Sequence, residues 1–336
     1  MTRQAQLDFL RGLAAVMVVA NHTRGAFFMG GEKILAGHPA ATDYLTVAAL
    51  QITSFGTDAV VLFFVLSGFA MAHSVSKSSS VRRFYLKRAV RIWPPYIAAC
   101  LMAALIGLWA GISSGPFVSK LFYVNAGDNA LTPQFWSLPF EVVFYVLCPV
   151  ILLTRERVQW LFGMSAVAFA ASAVFGGLTI NPWSTFPANF LGNELFLFAC
   201  GAMAYHSRIP KVTGRTLALL ASGGIAVAWI SKRAIGEVNF LSMMVIAAVA
   251  VLAIQNTPAP KRLNAGFFSY SIYLFHYALI VAVAHLLLMV GISASQITNP
   301  VAWLPVAIAI LLCCYVLYWF TERVSNLWVE RLRRAT

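Results

Sequence analysis

Long apolar runs alternate with short basic loops along this chain. Ten runs stand out, at about residues 7–28, 53–74, 92–112, 136–154, 158–177, 189–206, 216–231, 239–255, 267–290 and 301–321. A helix needs ~20 apolar residues to cross a bilayer, and most of these runs have that length. Only 216–231 and 239–255 are short. The pattern predicts an all-α, polytopic transmembrane protein of about ten spanning helices. Composition agrees: the 336 residues are 60% hydrophobic and 10% charged, where soluble domains carry about 25% charged residues. No block is polar enough for a soluble domain. One membrane domain is therefore expected over residues 1–322, followed by a basic tail at 323–336.

The net charge of +13 raises the question of nucleic acid. The basic residues cluster between apolar runs, where the positive-inside rule puts them, and form no basic-aromatic groove. No nucleic-acid partner is expected; the partner implied is the lipid bilayer. One set of loops holds Arg3, then Lys77, Arg82, Arg83, Lys87, Arg88 and Arg91, then Arg155, Arg157, Arg208, Lys211, Arg215, Lys261, Arg262 and the tail. The other holds Arg24, Lys33, Lys120, Lys232 and Arg233. The richer set is cytoplasmic, so both termini are expected inside. In the tail, Val324, Leu327, Trp328 and Leu332 recur at helical spacing among arginines. That pattern suits an interfacial helix on the inner leaflet or a solvated tail.

With directions assigned, the intramembrane polar residues sort by depth. Such residues are costly and are functional candidates by default. Arg11 and His22 lie eleven residues apart in the first run. Eleven steps of ~100° bring them within ~20° of one face, with a rise of ~16 Å. Arg11 belongs to an inner, cationic group with Arg88 and Arg91, one helical turn apart. Pro94 and Pro95 follow, and an irregular backbone is expected there. Guanidinium groups recognise phosphate through forked, charge-assisted bonds, so Arg88 and Arg91 point to a polyphosphate ligand. Arg82, Arg83 and Lys87 read as topology determinants and headgroup contacts.

The outer group is acid and base: His22, Asp58, Glu141 and Glu194. A carboxylate beside an imidazole fixes its tautomer and raises its basicity, as general-base catalysis requires. Glu141 sits in the run Trp136-Ser137-Leu138-Pro139-Phe140-Glu141. The ninth run opens with Ser269, Tyr270, Ser271, Tyr273 and His276. There Ser269, Tyr273 and His276 share a helix face and are candidates for pocket lining. The five cysteines all lie in apolar runs without zinc or disulfide spacing, and no metal cluster is visible, so no metal is expected. The glycine pairs 30–31, 176–177 and 223–224 have no phosphate-loop context.

Taken together, these pieces resemble the acyltransferase 3 family of bacterial membrane acyltransferases. The resemblance rests on Leu7-Asp8-Phe9-Leu10-Arg11-Gly12 with His22, Phe63-Phe64-Val65-Leu66-Ser67-Gly68-Phe69, and Arg88-Ala89-Val90-Arg91 with Pro94 and Tyr96. It continues through Trp136-Ser137-Leu138 with Glu141, Ser269-Tyr270-Ser271-Ile272-Tyr273-Leu274-Phe275-His276, and Glu322. Arg323-Val324-Ser325 follows Glu322 where family members often have a proline. The resemblance implies transfer of an acyl group, commonly acetyl from acetyl-CoA, to a hydroxyl of a carbohydrate or exported cell-envelope glycan. It also implies residence in the bacterial inner membrane.

On that reading Arg11, Arg88 and Arg91 hold the donor's phosphates. His22 acts as general base, or alternatively as the carrier of an acyl-histidine intermediate. Glu141 supports His22 or binds the acceptor. Asp58, Trp136, Ser137, Glu194, Ser269, Tyr273 and His276 are candidates for the surrounding pocket. The competing reading is a transporter or flippase of glycan or lipid intermediates.

Overall fold

The structure is a computed structural model. It describes residues 3–28, 34–36, 39–78, 80–113, 115, 120–122, 129–152, 154–175, 190–207, 211–236, 239–257, 265–293 and 299–334. Gly30, Gly31, Gly176 and Gly177 lie outside these residues, as do Lys33, Arg208, Lys261 and Arg262.

The described chain is helical throughout and contains no β-strand. In order it forms α1 (Arg3–Phe27), α2 (Ala41–Leu50), α3 (Gly56–Ser76), α4 (Val81–Ala110), α5 (Leu138–Ile151) and α6 (Arg155–Phe175). Then follow α7 (Leu195–His206), α8 (Gly214–Ala234), α9 (Phe240–Asn256), α10 (Ser269–Met289), α11 (Trp303–Phe320) and α12 (Glu322–Arg334). Among the described residues seven stretches are long and apolar enough to cross a membrane, and Phe240–Asn256 is a shorter apolar helix. This is a multi-pass membrane protein.

Three of the ten expected spans fall short: α9 is the shorter apolar helix, and α1 and α7 fall short for local reasons. α1 carries Asp8, Arg11 and Arg24. α7 is only 12 residues long and follows a π-helical turn at Phe190–Glu194. Pro94 and Pro95 do not break the chain as expected, since both lie inside α4, which runs for 30 residues. Apolar surroundings keep the remaining backbone bonds of a membrane helix in place around a proline.

The chain divides into two compact units. The first comprises Met1–Arg11, Val60–Arg88 and Leu138–Gly266; the second comprises Gly12–Ala59, Ala89–Ser137 and Phe267–Thr336. In the first, α3 and α7 pack backbone to backbone. A Cβ added at Gly68 would stand 1.9 Å from the Phe198 carbonyl oxygen, and one at Gly201 would stand 1.8 Å from that of Val65. Close approach through small residues is how membrane helices gain packing energy where lipid offers no hydrophobic contrast. Phe144 of α5 stacks on Phe198, ring centroids 4.0 Å apart. Gln255 Nε2 donates to the Ala204 carbonyl at 2.7 Å, tying the end of α9 to α7.

In the second unit, Tyr96 of α4 is fully buried against Phe135 and donates its hydroxyl to the Lys120 carbonyl at 2.6 Å. Ala103, Leu131 and Ala278 form a small core joining α4 to α10.

Candidate active site

Each unit holds one group of functional side chains. In the first unit the group gathers on the α5 face that carries Glu141. Its Oε1 accepts a bond from the Tyr145 hydroxyl and another from Ser67 Oγ at 3.2 Å. Arg88 lies over the Tyr145 ring, 5.9 Å from its centroid, and over Phe84 at 5.7 Å. It also donates to Ser74 Oγ at 2.8 Å. Arg11, on α1, forms a loose ion pair with Asp8 at 3.8 Å. Both Arg11 and Arg88 lie within electrostatic reach of the Tyr145 hydroxyl. Arg88 therefore packs directly on the phenol that donates to Glu141, and Arg11 lies in the wider electrostatic surroundings of that phenol.

The local sequence explains this grouping. Ser67 and Ser74 are seven residues apart on α3, so they share a face, and each serves one member of the group. Glu141 and Tyr145 are an i, i+4 pair. Tyr145 was not among the sequence candidates, although that spacing from Glu141 was its signal. Arg91, further along α4, belongs to the second unit; it makes no hydrogen bond or ion pair among the described residues and is half-buried.

In the second unit the group is built on α10. His22 Nδ1 and His276 Nε2 are 2.9 Å apart. The edge of Tyr277 meets the His22 ring at 5.3 Å. His276 is fully buried, while His22 remains half-buried. His276 Nδ1 meets the carbonyls of Ile272 at 2.9 Å and Tyr273 at 3.0 Å. One turn earlier, the Tyr273 hydroxyl donates to the Gln134 carbonyl, and Ser137 Oγ lies 2.5 Å from the same hydroxyl. The tyrosine's single proton goes to the carbonyl, so Ser137 is the donor to Tyr273. Gln134 Nε2 donates to the Leu274 carbonyl at 3.1 Å. These bonds fix the short 3₁₀ helix Pro133–Ser137, which carries the half-buried Trp136, against α10.

Within the second unit the partner of His22 is a second imidazole, and within the first unit Glu141 accepts from Ser67 and Tyr145. Asp58 is buried in the first turn of α3, where a negative charge suits the helix dipole. Ser269 is buried at the start of α10. Glu194 ends the π-turn before α7. Among the described residues its Oε2 and Asn193 Oδ1 are buried without a hydrogen-bond partner. π-turns recur at functional sites. Among the described residues no group of three His, Cys, Asp or Glu is gathered to hold a metal ion.

Glu322 acquires a definite role. Its Oε2 accepts from the Ser271 backbone N–H at 2.9 Å and from Ser271 Oγ at 2.8 Å, and the side chain is buried. Ser271 is the third residue of α10, so the carboxylate satisfies one of the amides left open at a helix start. Glu322→Ala is expected to destabilise the protein by about 1–3 kcal/mol, because two buried donors lose their acceptor. Thermal unfolding in detergent measures this. An unchanged midpoint would remove the capping role.

The profile of a family described as "Acyltransferase domain" matches residues 4–319. The chain belongs to the acyltransferase 3 family. It is an acyltransferase enzyme. Among curated relatives it is similar to nodulation protein 10 of Rhizobium leguminosarum bv. viciae, at 25% identity over 84% of each chain. It is also similar to the exopolysaccharide production protein ExoZ of Rhizobium meliloti (strain 1021), at 27% identity over 72% of this chain and 82% of that protein. The O-acetyl transferase of Shigella phage Sf6 is 25% identical over 52% of this chain and 53% of its own. No solved structure matches the chain.

Proposed function

We propose that this acyltransferase moves an acyl group, acetyl by preference, from acyl-CoA to a hydroxyl of a carbohydrate or exported cell-envelope glycan. It would act in the bacterial inner membrane, with both termini cytoplasmic. One observation supports this above others: the Arg88 guanidinium packs over Tyr145, whose hydroxyl donates to Glu141, with Arg11 in the wider electrostatic surroundings of that phenol. Guanidinium groups so placed suit a ligand rich in phosphate oxygens, and acyl-CoA is an acyl donor of that kind. Arg91, three residues after Arg88 in sequence, is proposed as a further donor contact. The names of the exopolysaccharide production protein and the phage O-acetyl transferase support a carbohydrate acceptor and an acetyl group respectively.

The same helix, α1, carries His22. In the reaction His22 takes the proton of the acceptor hydroxyl as the oxygen attacks the thioester carbonyl. The carbon–sulfur bond breaks, and the departing thiolate recovers the proton from the imidazolium. The products are the ester and free CoA thiol. Glu141, hydrogen-bonded by Tyr145 and Ser67, steadies the charge beside the arginines or binds acceptor.

Binding of acetyl-CoA to the detergent-purified protein tests the donor. Arg88→Ala is expected to weaken binding by about 10–100-fold, as fits one charge-assisted contact of about 1.5–3 kcal/mol. Arg88→Ala/Arg91→Ala should weaken it further. Equal affinity in wild type and the double variant would sink the phosphate role. Failure of every member of an acyl-CoA panel to bind wild type would sink the donor class.

A further inference from the structure

Whether His22 can serve as a base depends on which of its nitrogens carries the proton, and the α10 backbone decides that. A carbonyl oxygen only accepts, so the contacts of His276 Nδ1 with the Ile272 and Tyr273 carbonyls place the ring proton on that nitrogen. In neutral His276, Nε2 is then a bare lone pair. It lies 2.9 Å from His22 Nδ1, which must therefore carry the proton and donate it. The only nitrogen of His22 left with a lone pair is Nε2.

The geometry suits this bond. The two rings are 8° from parallel with centroids 5.1 Å apart. With a 2.9 Å nitrogen–nitrogen contact, they lie edge to edge in nearly one plane. An in-plane N–H then points straight at an in-plane lone pair. A face-to-face stack would not align them so.

We infer that His276 is a positioning residue: through the hydrogen bond it accepts, it holds His22 in the Nδ1–H tautomer and presents Nε2 as the base. The chain of constraint runs from the Ile272 and Tyr273 carbonyls through His276 to His22. It does for a membrane acyltransferase what a buried carboxylate does for histidine in hydrolytic triads, but with a neutral partner. When Nε2 takes the acceptor's proton, His22 becomes an imidazolium. Its Nδ1–H bond to His276 then becomes charge-assisted and strengthens. The proton stays on His22 Nε2, within reach of the leaving thiolate. His276 has its own proton committed to the backbone and transfers none. The inference rests on the general-base reading of His22 and goes beyond it by naming the nitrogen and what fixes it.

The test is nitrogen-15 NMR of ring-labelled histidine in nanodiscs, with wild type, His22→Ala (to assign the signal among six histidines), His276→Ala and His276→Gln. Wild-type His22 is expected as the Nδ1–H tautomer. His276→Ala should lose that signature, with turnover lowered on the order of 10²–10⁴-fold and the donor KM unchanged. In His276→Gln the amide oxygen can take the place of Nε2 as acceptor, so the tautomer and part of the turnover should return. An Nε2–H tautomer in wild type overturns the inference without need of any variant. So does an Nδ1–H signature that persists in His276→Ala. The spectrum does not depend on turnover, so the two failures are distinct: normal turnover in His22→Ala overturns the base assignment, and with it the catalytic use of the pair, whatever the tautomer.

Discussion

His22→Asn is expected to lower acyl transfer by about 10²–10⁴-fold, the range for losing a general base, while the protein stays folded. Asparagine is the instructive substitution. Its amide N–H₂ stands near the position of the imidazole Nδ1 and can still donate to His276 Nε2, so the buried acceptor keeps a partner. What asparagine lacks is a basic nitrogen. His22→Ala should match its loss of activity but also leave His276 Nε2 unpaired, at a cost of about 1–3 kcal/mol. The pair thus separates chemistry from stability. Transfer of a labelled acyl group by purified protein, alongside thermal unfolding, reads both. Wild-type turnover in His22→Asn would remove His22 from the reaction.

Gly68→Ala is expected to cost at least about 1–3 kcal/mol, the usual penalty for overpacking, and more if the helices cannot part. The added methyl meets a carbonyl oxygen at 1.9 Å, its carbon at 2.8 Å and the Phe198 Cα at 3.0 Å. All three are backbone, so no side chain can swing away. α3 and α7 would have to separate, opening the reciprocal contact at Gly201 as well. Gly163→Ala is the control. A Cβ there meets nothing within 4 Å, and Gly163 lies inside α6. Alanine should stabilise that helix by roughly 0.5–1 kcal/mol. Unfolding midpoints that move alike for the two variants would show that backbone contact does not hold α3 to α7.

The sequence reading went furthest where a single helix carries the information. The eleven-residue spacing of Arg11 and His22 needed only a continuous α1, and α1 is continuous. The shared face of Tyr273 and His276 likewise needed only α10. Partners from different helices were less legible. A carboxylate was expected beside His22 because that is the usual way to orient an imidazole. Nothing in the spacing said that His276, 254 residues away, would hydrogen-bond it. Tyr145 stands at i, i+4 from Glu141 in the sequence, but an apolar run with an aromatic residue reads as packing. The proline pair misled for the opposite reason. Proline removes one i→i−4 bond and crowds the carbonyl before it, and a helix in an apolar setting keeps its other backbone bonds around that defect, as α4 does. Gly68 was seen as part of a motif, but its meaning, contact with the Phe198 carbonyl, exists only once two helices meet.

The bond between Glu322 and Ser271 sets an order on biosynthesis. α10 is made 51 residues before the carboxylate that completes its first turn. While the ribosome is still making α11, the helix bearing His276 has an open amide at its start. It is finished only when the first residue of α12 arrives. The imidazole pair therefore gains its full support late, after the greater part of the chain is already in the membrane. A nascent chain stopped short of residue 322 would carry every proposed catalytic residue, yet it would hold α10 by a looser end.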